Sequence, residues 1–256
     1  MDKQPAIFNL ADAGDTVGAF ALLDGGNVAI DARDGDGRTA LHHAAAAGHA
    51  QLLHALIARG GKFETQDGGS WSPLHSAASA GRDECVQELI AAGAGLELGA
   101  GGSGSTALVL AASKGHAGVV RALVSASANA LAVDGSGGTA LHRSAAKGHL
   151  AVMEILIASH PKLIDLRDRA GNSAFHLAAI HEQAAACIAL AEAGAELTTT
   201  NAEGESPSSL LKPSLRSQLG LLGEAEEAED HTDWLSAHYP VPQPNANASG
   251  RAGLYL

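Results

Sequence analysis

The sequence predicts an all-α protein: a solenoid of about seven helix-turn-helix repeats with projecting β-turn or hairpin loops. Three observations lead to this prediction. A short motif recurs every 33 or 34 residues, a glycine follows the start of most copies by nine residues, and an apolar stripe with helical spacing follows each glycine. A fixed period of this length is typical of stacked repeat architectures.

The recurring motif marks the start of the first helix in each repeat. Its five clear copies begin at Thr39, Ser72, Thr106, Thr139 and Ser173. A hydroxyl at this point can cap the free amides of a helix. The glycine nine residues later can end that helix in a left-handed conformation. It occurs at Gly48, Gly81, Gly115 and Gly148, whereas Glu182 takes its place in the sixth repeat.

A second helix and a turn complete each repeat. Leu52, Leu53, Leu56 and Ile57 have the spacing of one helix face. Clusters such as 34–37, rich in Asp and Gly, precede the motif and suit tight turns. A single unit of this kind cannot bury its apolar face, so neighbouring units must stack.

The array is predicted to cover residues 1–222, with weaker outer repeats acting as caps. One cap surrounds Ile7 and Gly14, and the truncated last one runs from Asn201 to about Leu222. Residues 223–256 begin with a run of acidic residues and continue with Pro, Asn, Ala and Gly, which predicts a disordered acidic tail. Trp234, Leu235 and Tyr239 could form a short docking motif within it.

Composition narrows the class of protein. The chain has 16 Lys and Arg against 28 Asp and Glu, a net charge of −12, which argues against a nucleic-acid binder. Cys85 and Cys187 can form at most one disulfide, which favours a reducing compartment. Neither a secretory leader nor an apolar run long enough for a membrane span is evident. We therefore expect a cytoplasmic and nuclear protein.

Three patterns resemble ligand-binding motifs, but each lacks something that binding of the ligand requires. Residues 99–106 approach a phosphate-binding loop, but Ser105 stands where its lysine is needed. Residues 31–37 are acidic, but Arg33 and Gly35 occupy ligand positions of a calcium loop. The histidines that recur once per repeat are too far apart to share a metal, and we expect them to tie repeats together through backbone hydrogen bonds. No metal or cofactor is expected.

No catalytic grouping stands out from the repeat, so we expect a non-enzymatic protein that binds a partner through a concave face of turns and first helices. Residues that vary between repeats on that face are the candidate contacts. They are Asp36, Arg38, His43, Trp71, Ser76, Arg82, Lys114, Arg143, Lys147, Arg169 and Asn172, followed by Leu177.

Two features of this face remain open to alternatives. Trp71 could anchor a partner, since Trp and Arg dominate interface energetics, or its ring could cover the next turn. The basic residues at its centre could meet an acidic patch on a partner and steer association, or they could be ordinary solvated charges.

The pattern D-x-x-G-x-T-A-L-H-x-A-A resembles the ankyrin repeat. In finer detail the chain is similar to the gankyrin family, the non-ATPase subunit 10 of the 26S proteasome regulatory particle. The similarity lies in the stretch 71–84, in 38–42, 112–114, 140–143 with 145–148, and 171–172 with 176–178, and it runs in register over about 5–222.

This resemblance implies an assembly chaperone that is monomeric when free. Its concave face would hold the C-terminal domain of a proteasomal ATPase subunit, with Arg38, Trp71, Lys114 and Arg143 among the contacts. The chain departs from the family at Ser70, at Gly101 and at 177–181, where a motif for the retinoblastoma protein is replaced. The alternative is an ankyrin scaffold for another partner, such as a kinase or a transcriptional regulator.

Overall fold

A computed structural model describes residues 6–26 and 28–221, and these residues are helical apart from turns and one isolated bridge between Ala100 and Ser105. The predicted tail 223–256, including Trp234, Leu235 and Tyr239, lies outside the described residues. The chain divides into two compact units, residues 1–211 and 212–256.

The first unit contains six antiparallel pairs of short helices. The pairs are α1 (Ala6–Ala13) and α2 (Thr16–Asp24); α3 (Ala40–Ala47) and α4 (Ala50–Ala58); α5 (Pro73–Ala80) and α6 (Asp83–Ala91); α7 (Ala107–Lys114) and α8 (Ala117–Ser125); α9 (Ala140–Lys147) and α10 (Leu150–Ser159); α11 (Ala174–Ile180) and α12 (Ala184–Glu192). The second unit contains α13 (Pro213–Gln218).

Successive pairs stack in chain order. Each odd-numbered helix packs on the next odd-numbered one from α1 to α11, and the even-numbered helices stack beside them. This confirms the predicted all-α repeat stack. The truncated seventh repeat differs from the others, because residues 201–211 form turns and no helix pair.

Alanine explains the close stacking of the first helices. Ala44 and Ala45 in α3, like Ala77 and Ala78 in α5, are fully buried, so the helix backbones meet across methyl groups. The second helices bury longer side chains such as Leu52 and Leu56. The shared core therefore lies between layers and leaves the turns at one edge.

A buried histidine links each of four repeats to the next. His42 Nδ1 accepts a hydrogen bond from the backbone N–H of Thr39 at 3.1 Å and lies 3.0 Å from the Thr39 hydroxyl. His42 Nε2 donates to the carbonyl oxygen of Trp71 at 2.9 Å. Because a carbonyl oxygen can only accept, the proton resides on Nε2 and the ring is neutral.

The same geometry recurs at three other histidines. Their Nε2 atoms donate to carbonyl oxygens of the following repeat, from His75 to Leu98 at 2.8 Å, His142 to Asn172 at 3.0 Å and His176 to Glu205 at 3.1 Å. The prediction that these histidines tie the repeats together is confirmed. The fourth repeat has Val109 at this position, and the Thr106 hydroxyl there accepts from the Val109 N–H at 3.4 Å.

A ladder of backbone hydrogen bonds joins the turn tips. The carbonyl oxygen of Asp36 accepts from Gly68 N–H at 2.8 Å, and that of Gly69 accepts from Gly101 N–H at 2.8 Å. In the same way, the carbonyl oxygen of Ser103 accepts from Gly135 N–H and that of Ser136 accepts from Arg169 N–H. The turns are therefore held in register at one bond per repeat.

Among the described residues, three that are not glycine adopt the left-handed conformation at glycine positions: Ser70, Ser127 and Glu182. Ser70 has φ 61° where neighbouring repeats have Gly37 and Gly104, with φ 80° and 61°. Glu182 has φ 56° where the fifth repeat has Gly148, with φ 70°. The first helix of the sixth repeat, α11, is thus followed by a left-handed residue as the other first helices are, although a side chain makes that conformation costly.

The buried histidines predict a loss of stability in mild acid. Burial lowers the pKa of His42, His75, His142 and His176 below the ordinary value of 6.5. Below pH 6.5 the unfolded chain therefore binds protons that the folded chain excludes. The free energy of unfolding, measured with urea between pH 7.5 and 5.5, should fall by up to about 1.4 kcal/mol per pH unit for each histidine.

His142→Val provides the matched control, because it installs the residue of the fourth repeat. This variant should be less stable at pH 7.5 and should show a shallower dependence on pH. An unchanged slope would contradict the role assigned to the ring.

Glu182→Gly should stabilise the array. Glycine has no Cβ to strain at this φ, so we expect the free energy of unfolding to rise by about 0.5–1 kcal/mol. Gly148→Glu, the reverse exchange one repeat earlier, should lower it. Chemical denaturation of the two variants beside the parent protein would measure both effects, and equal stability of all three would refute the argument.

Candidate protein-binding face

The turn tips and the outward positions of the first helices form one edge of the stack, which we call the turn face. Most of the predicted contact residues occupy equivalent positions along it. His43, Ser76, Arg143 and Leu177 each follow the linking position of their first helix, and Lys114 and Lys147 each end one. Equivalent positions of stacked repeats point the same way, so the turn face brings these residues into one row.

An open groove crosses the turn face between the second and third repeats. Arg38, His43, Trp71 and Ser76 line it together, and Asp12 of the first repeat forms its near end. Four of the predicted contact residues therefore share one groove. A second hollow beside it, at the turn tips, is lined by Asp36, Arg38 and Trp71 among others.

Trp71 is half-buried and lies between two turn tips. A Cβ added at Gly69 would lie 3.4 Å from Trp71 Cδ1, and one added at Gly101 would lie 3.7 Å from Trp71 Nε1. The indole therefore covers the next turn, where Gly101 offers no side chain to oppose it. Its Nε1–H has no acceptor among the described residues.

Arg38 is held at one nitrogen and open at the others. Its Nε lies 3.3 Å from Asp67 Oδ2, in the turn of the next repeat, while 49% of the Arg38 side chain is exposed. Asp67 Oδ1 accepts backbone N–H bonds from Gly69 and Trp71 at 2.8 and 2.9 Å. The same carboxylate therefore shapes the turn that carries the indole and orients the guanidinium beside it.

His43 lies between two carboxylates at the near end of the groove. Its Nδ1 is 3.0 Å from Asp12 Oδ1 and its Nε2 is 3.0 Å from Asp34 Oδ2. Phe8 stacks on the ring at a centroid distance of 5.2 Å. Burial raises the pKa of Asp34, but hydrogen bonds from the Arg38 backbone and from His43 outweigh it and leave the pKa below its usual value.

Arg143 occupies the position of His43 in the fifth repeat and, like His43, contacts the aspartate of its own turn. Its Nε donates to Asp134 Oδ2 at 2.6 Å, and its terminal nitrogen donates to Asp134 and to the Ser136 hydroxyl. Burial raises the pKa of Asp134, while its bonds to Ser136 and Arg143 bring it below its usual value. Arg143 is thus largely committed to its own turn, and its charge is balanced by Asp134.

Arg82 has a structural role that its position reveals. Its Nε donates to the carbonyl oxygen of Ala46 at 3.0 Å, and its side chain covers Gly48 of the preceding repeat. His49, His116 and His149 do the same at equivalent positions, with carbonyl distances of 2.9, 3.1 and 3.3 Å. Glycine is required beneath them, because a Cβ there would collide with the covering ring.

The remaining predicted contacts divide into exposed cations and one buried amide. Lys114, Lys147 and Arg169 are exposed, and Arg169 donates to the carbonyl oxygen of Gly135. Asn172 is only 9% exposed, and its Oδ1 accepts from Asn201 Nδ2 at 3.0 Å. Asn172 therefore joins two turns and offers little surface to a partner, which corrects its placement among the contacts.

Sequence reasoning missed three residues of this face. Asp12 lies in the weakest repeat, where register is hard to assign. Ser79 lines the groove and Ile180 is 44% exposed, three residues after Ser76 and Leu177 respectively. The helical spacing of three residues could have indicated both, because it places them on the same side of their helices.

The described residues contain neither a candidate metal centre nor a reactive thiolate. In residues 6–26 and 28–221 no three His, Cys, Asp or Glu side chains are grouped so as to hold a metal ion. Burial raises the pKa of the Cys85 and Cys187 thiols to about 11, so neither is a reactive thiolate at neutral pH. None of the described helices has the length and apolar character needed to cross a membrane.

Comparison with known proteins agrees with this architecture. The family model for ankyrin repeats matches residues 7–100, 95–165 and 127–201. The human ASB11 ankyrin repeat domain superposes with a TM-score of 0.76 at 22% identity, covering 85% of this chain and 97% of that one. The ankyrin repeat domain of Bcl-3, a member of the IkappaB family, gives 0.74 at 19% identity, covering 86% and 99%. No curated protein sequence matches the chain.

Variants of Arg82 test whether its side chain stabilises the repeat stack. Arg82→Ala should lower the free energy of unfolding by about 0.5–1 kcal/mol, because the Ala46 carbonyl loses its donor. Arg82→His, which installs the residue of three other repeats, should retain the stability of the parent protein. Urea unfolding compares the two. If Arg82→His proves as unstable as Arg82→Ala, the assigned equivalence with His49 is wrong.

Proposed function

The chain belongs to the ankyrin-repeat family, and from this premise we propose that it is a non-catalytic assembly chaperone of the 26S proteasome regulatory particle. Ankyrin-repeat proteins are typically interaction modules that bind a protein partner. The turn face would bind the C-terminal domain of one ATPase subunit of the proteasome base. The proposal places the protein in the cytoplasm and nucleus, as a monomer when free.

The groove lined by Arg38, Trp71 and Ser76 carries the proposal. These residues belong to the stretches that resemble gankyrin, and they share one accessible surface. The terminal Arg38 nitrogens and the Trp71 Nε1–H have no acceptor among the described residues, and acceptors on a partner would satisfy them. Large aromatic and Arg side chains in such a position supply most of the energy at protein interfaces.

Lys114 extends the same surface toward the fourth repeat. It is exposed at the end of α7, where its charge also interacts favourably with the helix dipole. An acidic patch on the ATPase domain would complement it and accelerate association. Arg143 contributes less than its resemblance suggests, because Asp134 already balances its charge.

An ankyrin scaffold for another partner, such as a kinase or a transcriptional regulator, is the competing function. The fold alone does not choose between them, since repeat stacks of this kind serve many partners. The departures at Ser70, Gly101 and 177–181 favour this alternative, because they alter the surface in three repeats.

Binding to isolated ATPase domains tests the proposal. Purified protein should retain one of the separately prepared C-terminal domains of the proteasomal ATPases, and Trp71→Ala should weaken that binding at least about tenfold. Lys114→Glu should weaken it as well, more strongly at low salt. Titration calorimetry on folded variants, checked by circular dichroism, would measure both.

Arg121→Glu is the matched control, since it reverses an exposed charge in the same repeat but on α8, a second helix. It should bind like the parent protein. Equal or absent binding to every ATPase domain would reject the chaperone function. Unchanged affinity of both Trp71→Ala and Lys114→Glu would reject the turn face as the site.

A further inference from the structure

Two positions on each first helix form a continuous strip along the turn face. In the second and third repeats these positions line the groove, which shows that they face outward beside Trp71. From the second repeat to the sixth, the pairs are His43 and Ala46, Ser76 and Ser79, Leu110 and Ser113, Arg143 and Ala146, and Leu177 and Ile180.

At the sixth repeat both residues of the pair are large and apolar, whereas among the earlier pairs only Leu110 is. Leu177 and Ile180 are three residues apart in α11 and lie on the same side of that helix. Ile180 is 44% exposed, whereas the equivalent residues in the other repeats are alanine or serine. An exposed large apolar side chain next to another one is the kind of feature that marks a contact surface.

One lysine lies one repeat before this apolar pair, and another lies two repeats before it. Lys147 ends α9 and Lys114 ends α7, and both are exposed. Within the described residues neither makes a salt bridge. The fourth to sixth repeats therefore present positive charge followed by an apolar surface, in an order set by the stack.

The spacing of the repeats selects the kind of segment that fits. Stacked helices lie about 8–10 Å apart, and two turns of an α-helix rise about 10.8 Å. A partner helix laid along the strip would therefore present the same face to each repeat about every seven residues. An extended strand also covers about 10 Å, in three residues. Because successive side chains of a strand point to opposite faces, residues three apart would present opposite faces to consecutive repeats.

We propose that the fourth to sixth repeats bind a partner α-helix with an apolar side chain against Leu177 and Ile180. Carboxylates about 7 and 14 residues from that side chain would meet Lys147 and Lys114. This inference rests on the proposed function because both place the partner on the turn face. It adds the kind of partner segment that binds there. The lysines steer and orient the helix, whereas the apolar contact slows its release.

Synthetic helical peptides of about 20 residues test this arrangement without any ATPase domain. One peptide carries two glutamates about 7 and 14 residues from a leucine, and a second carries serine in place of the leucine. Each is titrated into the parent protein and into Ile180→Ser, with affinity measured by NMR and the Ile180 methyl signal observed in the parent protein. Serine is the native residue at the equivalent positions 79 and 113, so the variant should fold.

The leucine peptide should bind the parent protein at least about fivefold more tightly than the serine peptide, and the two should bind Ile180→Ser almost equally. Val17→Ser is the control, because Val17 is 81% exposed on α2 and outside the strip. It should preserve the full preference for leucine. Placing the leucine between the glutamates should abolish that preference.

An equal preference on both proteins would overturn the inference, as would a leucine peptide that does not bind the parent protein. These outcomes are separate from those of the ATPase experiment. If no ATPase domain binds but the leucine preference depends on Ile180, the chaperone function fails and the helix-binding strip stands. If an ATPase domain binds but Ile180→Ser leaves the peptide preference unchanged, only the strip is wrong.

Discussion

A neutral histidine bridges four of the joints between consecutive repeats, and the arrangement of the turn face follows from the stacking that it holds in place. Each ring accepts from the start of its own first helix and donates to a carbonyl oxygen of the following repeat. The Thr or Ser donor is buried at each joint and the carbonyl acceptor is buried or part-buried, so the ring satisfies a backbone group on both sides. Because the bridge fixes how one first helix sits on the next, it also sets the spacing at which outward side chains appear on the turn face.

The cations of that face differ in what they can offer a partner. Arg143 is drawn into its own turn by Asp134, and Arg38 is partly drawn toward Asp67. Lys114 and Lys147 end their helices without such a carboxylate among the described residues. A count of basic residues in the sequence treats these four alike, whereas the ion pairs leave only the two lysines of this set without a carboxylate that balances their charge.

The fourth repeat departs from the pattern at two positions, one of which lies beside Trp71. It has Val109 in place of the linking histidine and Gly101 in place of the turn aspartate, with the Ala100–Ser105 bridge holding the turn instead. Gly101 leaves room for the Trp71 ring. Sequences often depart from the local preferences of a fold at functional surfaces, and this turn is a departure of that kind.

The sequence alone determined the period, the helix pairs and the role of the recurring histidines, because each depends on local spacing and capping chemistry. It also placed Arg38, His43, Trp71 and Ser76 on one face, since equivalent positions of stacked repeats must align. Only the tertiary structure decided that Asn172 is buried, that Arg82 covers Gly48 and that Ile180 is exposed. Those facts depend on contacts between residues about 30 positions apart, which no local pattern records.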